Sequence, residues 1–420
     1  MSRIHIVGAG LAGLAAALQL ADGKRSITIH ESATQAGGRC RSYFDATLGM
    51  EIDNGNHLLL SGNYAAQQFL RTVGSEDQLV GPEHAEFAFV DLKTRERWQL
   101  QPSDGAIPWW IFQKDRRVPG TGPLDYLSVA PLLTAAKGAT LNQAMKCEGV
   151  LWERLWQPFF LAALNTQPEE GAASLAARLM RETFAKGGRA CRPLVAAQGL
   201  STAFIAPALR HLETKGVGIR FERRLSAIAA DGGNVKALSF GDETIALEHG
   251  DALVLAVPAP VAASLLPALP TPQSFRAIVN AHYKIASPPG QPPILGIING
   301  TMEWLFAFPG RLSVTISGAD RLIATPREEL AAKIWSEIQL VTKIDSPLPA
   351  WQIIKEKRAT FAATPAEEVR RPKTRGAWPN LLLAGDWTDT GLPATIEGAI
   401  RSGFAAADAA LADEWRRCPI

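Results

Sequence analysis

A glycine-rich turn near the amino terminus constrains the fold of this chain more than any other feature of its sequence. The apolar run RIHIV leads into GAGLAG at positions 8–13, which opens a helix rich in alanine and leucine. In a strand–turn–helix unit, Gly8 permits the tight turn, Gly10 lets a pyrophosphate approach the backbone, and Gly13 lets the helix pack closely on the strand. Phosphates then meet the free N–H groups of the first helical turn, which includes Leu11 and Ala12.

An acidic residue at the end of the next strand strengthens this prediction. The strand SITIH ends just before Glu31. About 20 residues after the glycine turn, a carboxylate accepts hydrogen bonds from ribose hydroxyls and repels a 2′-phosphate. The pattern therefore predicts a ligand with an adenosine diphosphate and a free ribose. NAD and FAD both meet this description, and this segment alone does not choose between them.

Length and composition allow two or three folded units and exclude some functions. The chain has 420 residues, 47% of them hydrophobic, and a formal net charge of +2. Such a balanced charge, without zinc, helix-turn-helix or RNP patterns, gives no indication of nucleic acid or a metal site. Four cysteines form no C-x-x-C pair and are predicted to be inert thiols in a reducing compartment; they are Cys40, Cys147, Cys191 and Cys418.

No secretory signal is visible at the start of the chain, and no apolar run reaches about 18 residues. We therefore expect a cytoplasmic protein, with a peripheral position on the inner face of the cytoplasmic membrane left open.

The two ends of the chain share a strand–helix style that the middle lacks. NLLLAGD and a helix from about Pro393 to Leu411 return to the pattern of the first 31 residues. We expect an α/β fold, in which residues 1–84, 193–259 and 370–420 form a Rossmann-like dinucleotide-binding domain. Residues 85–192 and 260–369 would form a discontinuous, partly helical substrate-binding domain of α+β inserts.

Two further segments favour flavin over nicotinamide. Gly37 and Gly38 suit a second backbone approach to phosphate, and Arg39 supplies a guanidinium to neutralise charge. Near the other end, the strand before Gly385 and Asp386 leads to a helix whose first turns are mostly small residues. If that helix begins near Ala394, its free N–H groups and positive dipole end face the negative charge of a reduced flavin.

These motifs together resemble the FAD-dependent amine oxidase and phytoene desaturase superfamily over nearly the whole chain. The anchors are VGAGLAGLAAALQL, HESATQAGGRCRS, DALVLAVP and LLLAGDWTDTGLPATIEGAIRSG. The resemblance implies FAD and a fold like those of amine oxidases and glutathione reductase. By position, it implies that the cofactor contacts are Gly8, Gly10, Leu11, Ala12, Gly13, Glu31, Gly37, Gly38, Arg39, Leu225, Gly385, Asp386, Pro393, Ala394, Thr395 and Ile396.

The segments LWQPFFLAALNTQPEE and WWIFQKDRRVPG are similar to the squalene-associated branch of bacterial hopanoid biosynthesis. This branch implies reductive dehydroxylation of hydroxysqualene to squalene, in which the allylic hydroxyl leaves as water and reduced flavin delivers hydride. Because an allylic cation is delocalised, departure of the hydroxyl needs only modest proton assistance. The sequence assigns no catalytic residue. His57, Asp389 and Glu397 lie in or beside the flavin motifs, but structural or cofactor-supporting roles are expected for them.

Two alternatives stay open from the sequence. One is a desaturase or oxidase that acts on a carotenoid or an amine, and the other is a flavin-bearing lipid-binding protein without turnover. Because the chain holds one dinucleotide fingerprint and no redox C-x-x-C pair, electrons are expected from the substrate or from an external donor of unknown identity.

A lipophilic C30 isoprenoid substrate also needs an apolar tunnel and a way out of a membrane. The run WWIF, formed by Trp109, Trp110, Ile111 and Phe112, stands just before Lys114, Arg116 and Arg117. Aromatic residues beside cations suit contact with an anionic membrane surface, and a partly buried loop with solvated charges is the alternative. Four aromatic residues of the following helices would line the tunnel or belong to an ordinary core: Trp152, Trp156, Phe159 and Phe160.

Overall fold

The computed structural model describes residues 2–412, so Cys418 lies outside the described part. The strands are β1 (Arg3–Val7), β2 (Ser26–His30), β3 (Ser42–Asp45), β4 (Met50–Asp53), β5 (Leu59–Leu60), β6 (Leu79–Val80), β7 (Phe87–Asp91), β8 (Arg97–Leu100), β9 (Pro193–Ala196), β10 (Gly218–Arg220), β11 (Ala227–Ala230), β12 (Val235–Phe240), β13 (Glu243–Ala246), β14 (Ala252–Leu255), β15 (Phe275–Tyr283), β16 (Ile294–Ile298), β17 (Trp304–Phe308), β18 (Arg311–Ile316), β19 (Trp351–Phe361) and β20 (Leu381–Leu383).

The α-helices are α1 (Leu11–Leu20), α2 (Tyr64–Val73), α3 (Leu141–Ala144), α4 (Gln157–Leu164), α5 (Ala173–Glu182), α6 (Ala206–Thr214), α7 (Ala259–Leu265), α8 (Arg327–Thr342), α9 (Pro365–Glu368) and α10 (Ile396–Leu411). Short 3-10 helices cover Glu76–Gln78, Trp109–Phe112, Pro123–Thr134, Phe184–Lys186, Gly188–Ala190 and Ala319–Leu322. Single π-helical segments, Trp152–Trp156 and Ser201–Ile205, lead directly into α4 and α6.

The dinucleotide-type sheet is parallel throughout, with the strand order β10-β2-β1-β14-β20. Ile4 and Ile6 on the central strand β1 are almost fully buried, at 1% and 0% exposure. The chain crosses from one side of β1 to the other between β2 and β14. Ligands of open α/β sheets bind outside the carboxyl ends of strands at such a switch point. The predicted α/β class is thereby confirmed.

Helices α1 and α10 cover this sheet side by side and run in the same direction. A methyl group on Gly403 would lie 2.2 Å from the carbonyl oxygen of Ala12, so α10 sits directly against α1. Further along, Gln19 bonds Asp408. Both helices therefore direct their N-termini toward the same side of the sheet.

A second sheet of seven strands has the order β19-β15-β18-β17-β16-β7-β8 and is antiparallel except between β16 and β7. Its apolar face packs on α8 through residues such as Val279, Tyr283 and Trp335. The strands β15 and β19 are difficult to predict from the sequence because polar or charged residues interrupt their apolar pattern, such as Asn280 and the run KEKR at 355–358.

Three of the four cysteines lie in the described part of the chain. Cys40 and Cys191 are buried and Cys147 is half-buried. Burial raises the pKa of Cys147 to about 11 and that of Cys191 to about 12, so both are protonated thiols at neutral pH.

Between residues 2 and 412, no helix has the length and apolar character needed to cross a membrane. The division of the chain into two domains at the boundaries given above stays a prediction.

Candidate dinucleotide and substrate site

The glycine turn stands at the carboxyl end of β1 and is shaped by close backbone contacts. Gly8 has φ +107°, and a methyl group there would lie 2.4 Å from the carbonyl oxygen of Ala256. A methyl group on Gly13 would lie 1.9 Å from the oxygen of Gly8. At Gly10, by contrast, a methyl group would meet no atom within 4 Å. Two of the glycines therefore serve the packing of β1, α1 and β14, whereas Gly10 faces open space.

A second glycine pair lies directly beside this turn. The N–H of Gly37 donates to the carbonyl oxygen of Ala9 at 2.8 Å, and Gly37 pairs with Gly10 in an isolated bridge. A methyl group on Gly38 would lie 3.6 Å from the Cα of Gly10. The helix α1 has no side-chain cap, so the N–H groups of Leu11 and Ala12 in its first turn are free for a ligand. The glycines of the two loops leave the backbone uncovered, and the N-terminus of α1 has no side-chain cap. Together they form a cradle of the kind that suits an anion.

Glu31 stands at the end of β2, next to the cradle. Its carboxylate accepts hydrogen bonds from the N–H groups of Ala9 and Ala33, each at 2.8 Å. The backbone of Glu31 also bonds Arg220 and Arg223, which tethers the segment that continues to the buried Leu225. Because each carboxylate oxygen accepts more than one hydrogen bond, Glu31 keeps acceptor capacity for ribose hydroxyls.

An ion pair joins the two ends of the chain at the site. Arg39 donates to Asp386 at 2.7 Å and also to the carbonyl oxygen of Ala359 on β19. The neighbouring carboxylate of Asp386 raises the pKa of Arg39 further above its usual value. Asp386 is 7% exposed, whereas the side chain of Arg39 is 41% exposed. The pair therefore fixes the loop after β20 against the second glycine loop and leaves one side of the guanidinium open.

Gly385 makes room for a tryptophan at this point. It has φ +143°, and a methyl group there would lie 2.4 Å from Nε1 of Trp387. That indole N–H donates to the carbonyl oxygen of Val257 at 2.8 Å, which ties the loop to the end of β14. Sequence reasoning included Gly385 and Asp386 but not this anchor.

A buried arginine, which sequence reasoning missed, holds the same loop. The side chain of Arg371 is 0% exposed, forms an ion pair with Glu368 at 2.8 Å, and donates to the carbonyl oxygens of Asp386 and Thr388. Its guanidinium carbon lies 4.8 Å from the ring centroid of Phe361. The pattern RRP at 370–372 gives no signal of this role, because the carbonyl groups that it holds, those of Asp386 and Thr388, follow 15 and 17 residues later.

The start of α10 differs from the prediction. The helix begins at Ile396, not near Pro393 or Ala394, because Thr395 acts as its N-cap and accepts from the N–H of Gly398 at 3.0 Å. Pro393 and Ala394 therefore form the approach to the helix. The N-terminus of α10 still lies on the side of the sheet where the glycine cradle opens.

The three candidate acids have different surroundings. Glu397 is 3% exposed and accepts hydrogen bonds from the N–H groups of Ala65 and Ala66 while pairing with Arg401, so it is structural. Asp389 is exposed. His57 is half-buried, and burial followed by the charge of Arg39 lowers its pKa to about 4. His57 is therefore a neutral imidazole at neutral pH.

An aromatic core lies against the flavin motifs. Trp156 contacts Phe160 and Phe184 at centroid distances of 6.2 and 5.5 Å. The same buried cluster includes Phe306 of the seven-stranded sheet and Trp387 of the loop after β20, and Ala394 packs against it. Trp152 and Phe160 are fully within this core, so these side chains form packed interior and not the wall of an open tunnel.

Two cavities among the described residues are lined by other side chains. One of about 220 Å³ is lined by residues that include Asp53, Gly199 and Arg311. The other, of about 160 Å³, lies at Leu18, Gln68 and Phe404. The run WWIF is divided in the structure, because Trp110 and Ile111 are buried at 4% and 8% exposure while Trp109 and Phe112 are each 62% exposed, and its contact with a membrane stays a prediction. The inner pair of this run belongs to the core.

The residues present fit a flavin dinucleotide. Gly10 leaves room for a diphosphate, Glu31 lies just after β2 and bonds Ala9 of the glycine turn, and α1 and α10 direct two helix N-termini to the same side. The apolar cluster that includes Trp387 and contacts Ala394 lies next to these residues. Fold and site together define the class of dinucleotide-dependent oxidoreductases.

Comparison with known proteins assigns the chain within this class. Residues 11–411 match the model of the flavin containing amine oxidoreductase family, and the chain belongs to that family. The cofactor is FAD. Among solved structures, cyclohexylamine oxidase from Brevibacterium oxydans superimposes with a TM-score of 0.71 at 17% identity, covering 98% of this chain and 99% of that one. This likeness shows the shared fold.

Curated relatives are more similar in sequence. The chain is 55% identical to hydroxysqualene dehydroxylase of Rhodopseudomonas palustris, over 97% of this chain and 98% of that protein. It is 46% identical to hydroxysqualene dehydroxylase of Zymomonas mobilis, over 98% of this chain and 99% of that protein. The 15-cis-phytoene desaturase of Glycine max is more distant, at 23% identity over 98% of this chain and 79% of that protein.

Proposed function

We propose that this chain converts hydroxysqualene to squalene by reductive dehydroxylation with FAD. The observation that carries this function is one continuous apolar cluster from Trp156 to Trp387 beside the flavin motifs, whose packed side chains would move apart to admit the substrate. A C30 polyene has almost no polar groups, so it needs apolar surface of this kind next to the hydride carrier. Relatives that share about half of the residues over the full length bear the name of this activity.

We propose that the cofactor is held by the residues that the sequence singled out. Gly10, Gly37 and Gly38 would receive the diphosphate with the first turn of α1, and Glu31 would bind the adenosine ribose. Arg39 and Asp386 would stand beside the pyrophosphate and ribityl chain. When bound and reduced by an external donor, the flavin would supply the hydride that replaces the leaving hydroxyl.

The protein contributes a dry and electron-rich environment for the carbon that loses its hydroxyl. Protonation of the hydroxyl releases water and leaves a delocalised allylic cation, and one hydride then completes squalene. Aromatic faces stabilise a cation near them, and a packed apolar wall keeps water from recapturing it. Phe306, Trp156 and Trp387 belong to the cluster that would supply these faces. No side chain is assigned as the proton donor.

The electrons are proposed to come from an external reductant. The described residues contain one parallel dinucleotide sheet, and no second one is present to hold a nicotinamide donor. Contact with the inner face of the cytoplasmic membrane is proposed for the exposed Trp109 and Phe112 and the nearby cations Lys114, Arg116 and Arg117. A bilayer is where the lipophilic substrate accumulates.

The direction of electron flow tests this function against its alternative. FAD-loaded protein is reduced anaerobically and mixed with hydroxysqualene, with squalene as the control. Return of the oxidised flavin spectrum together with squalene formation is expected only with hydroxysqualene. If reduced flavin stays unchanged, the proposal is wrong. A carotenoid desaturase would instead bleach the oxidised flavin when given a phytoene, which the distant desaturase relatives make the second candidate.

A further inference from the structure

A 3-10 helix, Pro123–Thr134, presents to solvent an apolar stripe that the sequence pattern does not predict. In a 3-10 helix, side chains three residues apart lie above one another. One row, formed by Tyr126, Val129 and Leu132, faces the core, with Tyr126 and Leu132 buried. The next row is Leu124, Leu127, Ala130 and Leu133, and all four are exposed, with Leu124 at 78% and Leu127 at 62%. Two adjacent rows of this helix are therefore apolar, and only one is covered.

The stripe adjoins the exposed aromatic pair Trp109 and Phe112. Trp110, which lies between them, packs its ring edge-on against Tyr126 at a centroid distance of 5.0 Å. The hydroxyl of Tyr126 also accepts from the N–H of Val118 at 3.1 Å. The two short helices are thus fixed to each other at this joint, and each carries exposed apolar side chains, Leu124 and Leu127 on one and Trp109 and Phe112 on the other. We call this surface the leucine–tryptophan face and define it by Ile107, Trp109, Phe112, Leu124, Leu127 and Leu133.

Charge selects the kind of partner that this face fits. Residues 105–140 contain four basic and two acidic residues, and the helix Pro123–Thr134 has Asp125 as its single charged side chain. Asp125 is occupied, since it accepts from the N–H of Gly122 at 2.7 Å. Within the described chain Lys114, Arg116 and Arg117 form hydrogen bonds at most and no ion pairs, so their charges are available. Exposed leucine and tryptophan with unpaired cations alongside match an anionic bilayer surface.

A path of aromatic rings connects this face with the interior. Tyr126 contacts Trp156 at a centroid distance of 6.4 Å, and Trp156 contacts Phe159 and Phe184 at 6.5 and 5.5 Å. The rings belong to or pack against the cluster that reaches Trp387. The face and the candidate hydride-transfer site are therefore two ends of one apolar body.

We propose that the leucine–tryptophan face inserts into an anionic phospholipid surface and that the Trp110–Tyr126 joint is the place where the substrate leaves the bilayer for the core. The insertion stands on exposure and charge alone, whereas the access route rests on the proposed function. A short helix whose one face is buried on aromatic rings and whose next face lies in lipid offers an apolar path between them without exposure to water.

Vesicle binding tests the surface. FAD-loaded protein is sedimented with vesicles of phosphatidylcholine and phosphatidylglycerol, and with vesicles of phosphatidylcholine alone. Leu124→Ser/Leu127→Ser is expected to lower binding by about tenfold or more, because two inserted leucine side chains are lost. The matched control Leu340→Ser/Val369→Ser alters residues that are 50% and 74% exposed elsewhere, and it is expected to bind like the wild type.

Lys114→Gln/Arg116→Gln is expected to weaken binding only to the anionic vesicles. Equal sedimentation of the leucine variant and the wild type would overturn the proposal. So would a lipid-free wild type that is a dimer and a leucine variant that is a monomer, since a second copy would then cover the face.

Turnover tests the access route separately. With hydroxysqualene in vesicles, the leucine variant should lose about tenfold in rate, whereas with substrate in detergent micelles it should match the control variant. Equal losses in both would overturn the route. If the wild type turns over neither preparation yet still binds anionic vesicles, the proposed substrate is wrong and the membrane surface stands.

Discussion

Alanine at Gly10 and alanine at Gly13 are expected to separate cofactor binding from fold stability. At Gly10 the backbone has φ −76°, which alanine adopts freely, and the added methyl group meets nothing within 4 Å. The unfolding free energy of the apoprotein should fall by only about 0.5–1 kcal/mol, because glycine is a better N-cap residue than alanine. The methyl group stands where a diphosphate must approach, however. Overpacking there by about 1–3 kcal/mol weakens FAD binding by about 5- to 150-fold.

Gly13→Ala should behave in the opposite way. Its methyl group would lie 1.9 Å from the oxygen of Gly8 and 3.4 Å from the Cβ of Ala256, so α1 must move away from the sheet. Even after the gain in helix propensity, we expect the apoprotein to lose about 2–4 kcal/mol. Urea unfolding of the apoproteins and fluorescence titration with FAD measure the two quantities. Wild-type FAD affinity of Gly10→Ala, or a larger loss of apoprotein stability there than at Gly13, would refute the reasoning.

Three further predictions concern single groups. Glu31→Gln should weaken FAD binding by about 1–3 kcal/mol through lost charged hydrogen bonds, and unchanged affinity in the same titration would remove Glu31 from the site. Arg371→Met should lower the unfolding free energy by about 2–4 kcal/mol, because the carbonyl groups of Asp386 and Thr388 and the carboxylate of Glu368 lose their partner. The control Arg370→Met, at the exposed neighbouring residue, should change it by less than about 0.5 kcal/mol. Equal urea midpoints for the two variants would contradict the role of Arg371 in holding this loop. Burial first of all lowers the pKa of His30 to about 3, of His57 to about 4 and of His282 to about 3. Because the unfolded chain binds these protons below about pH 6.5 and the folded chain does not, the unfolding free energy should fall on acidification, by up to about 4 kcal/mol per pH unit near pH 5, and a flat profile from pH 7 to 5 would refute this.

The local features of the cofactor site could be predicted from the sequence because they depend on short spacings. The turn at Gly8 and the acid at Glu31 follow from a strand–helix–strand pattern, and the structure places them together at one sheet edge. Which of these residues hold FAD stays a proposal. The start of α10 was misplaced by a few residues, since a threonine cap is a weaker signal in the sequence than the preceding proline.

The long-range features could not be predicted. Arg39 and Asp386 are 347 residues apart, and the sequence around either residue does not indicate that the two form an ion pair. Arg371 is one of two adjacent arginines, and only the fold decides which of them is buried. The stripe at Leu124 and Leu127 repeats every three residues, which is neither the period of an α-helix nor that of a strand, so it reads as irregular sequence.

The first and last strands of the chain belong to one sheet, on either side of β14, which has a consequence for folding during synthesis. During synthesis β1, α1 and β2 leave the ribosome long before β20 and α10 exist, and nearly every residue of α1 is buried in the finished protein. The nascent chain must therefore display an apolar helix without its cover for most of translation, a state that invites chaperones or aggregation. Capture of FAD is correspondingly one of the last events of maturation, because the site is complete only after β20 and α10 have been synthesised.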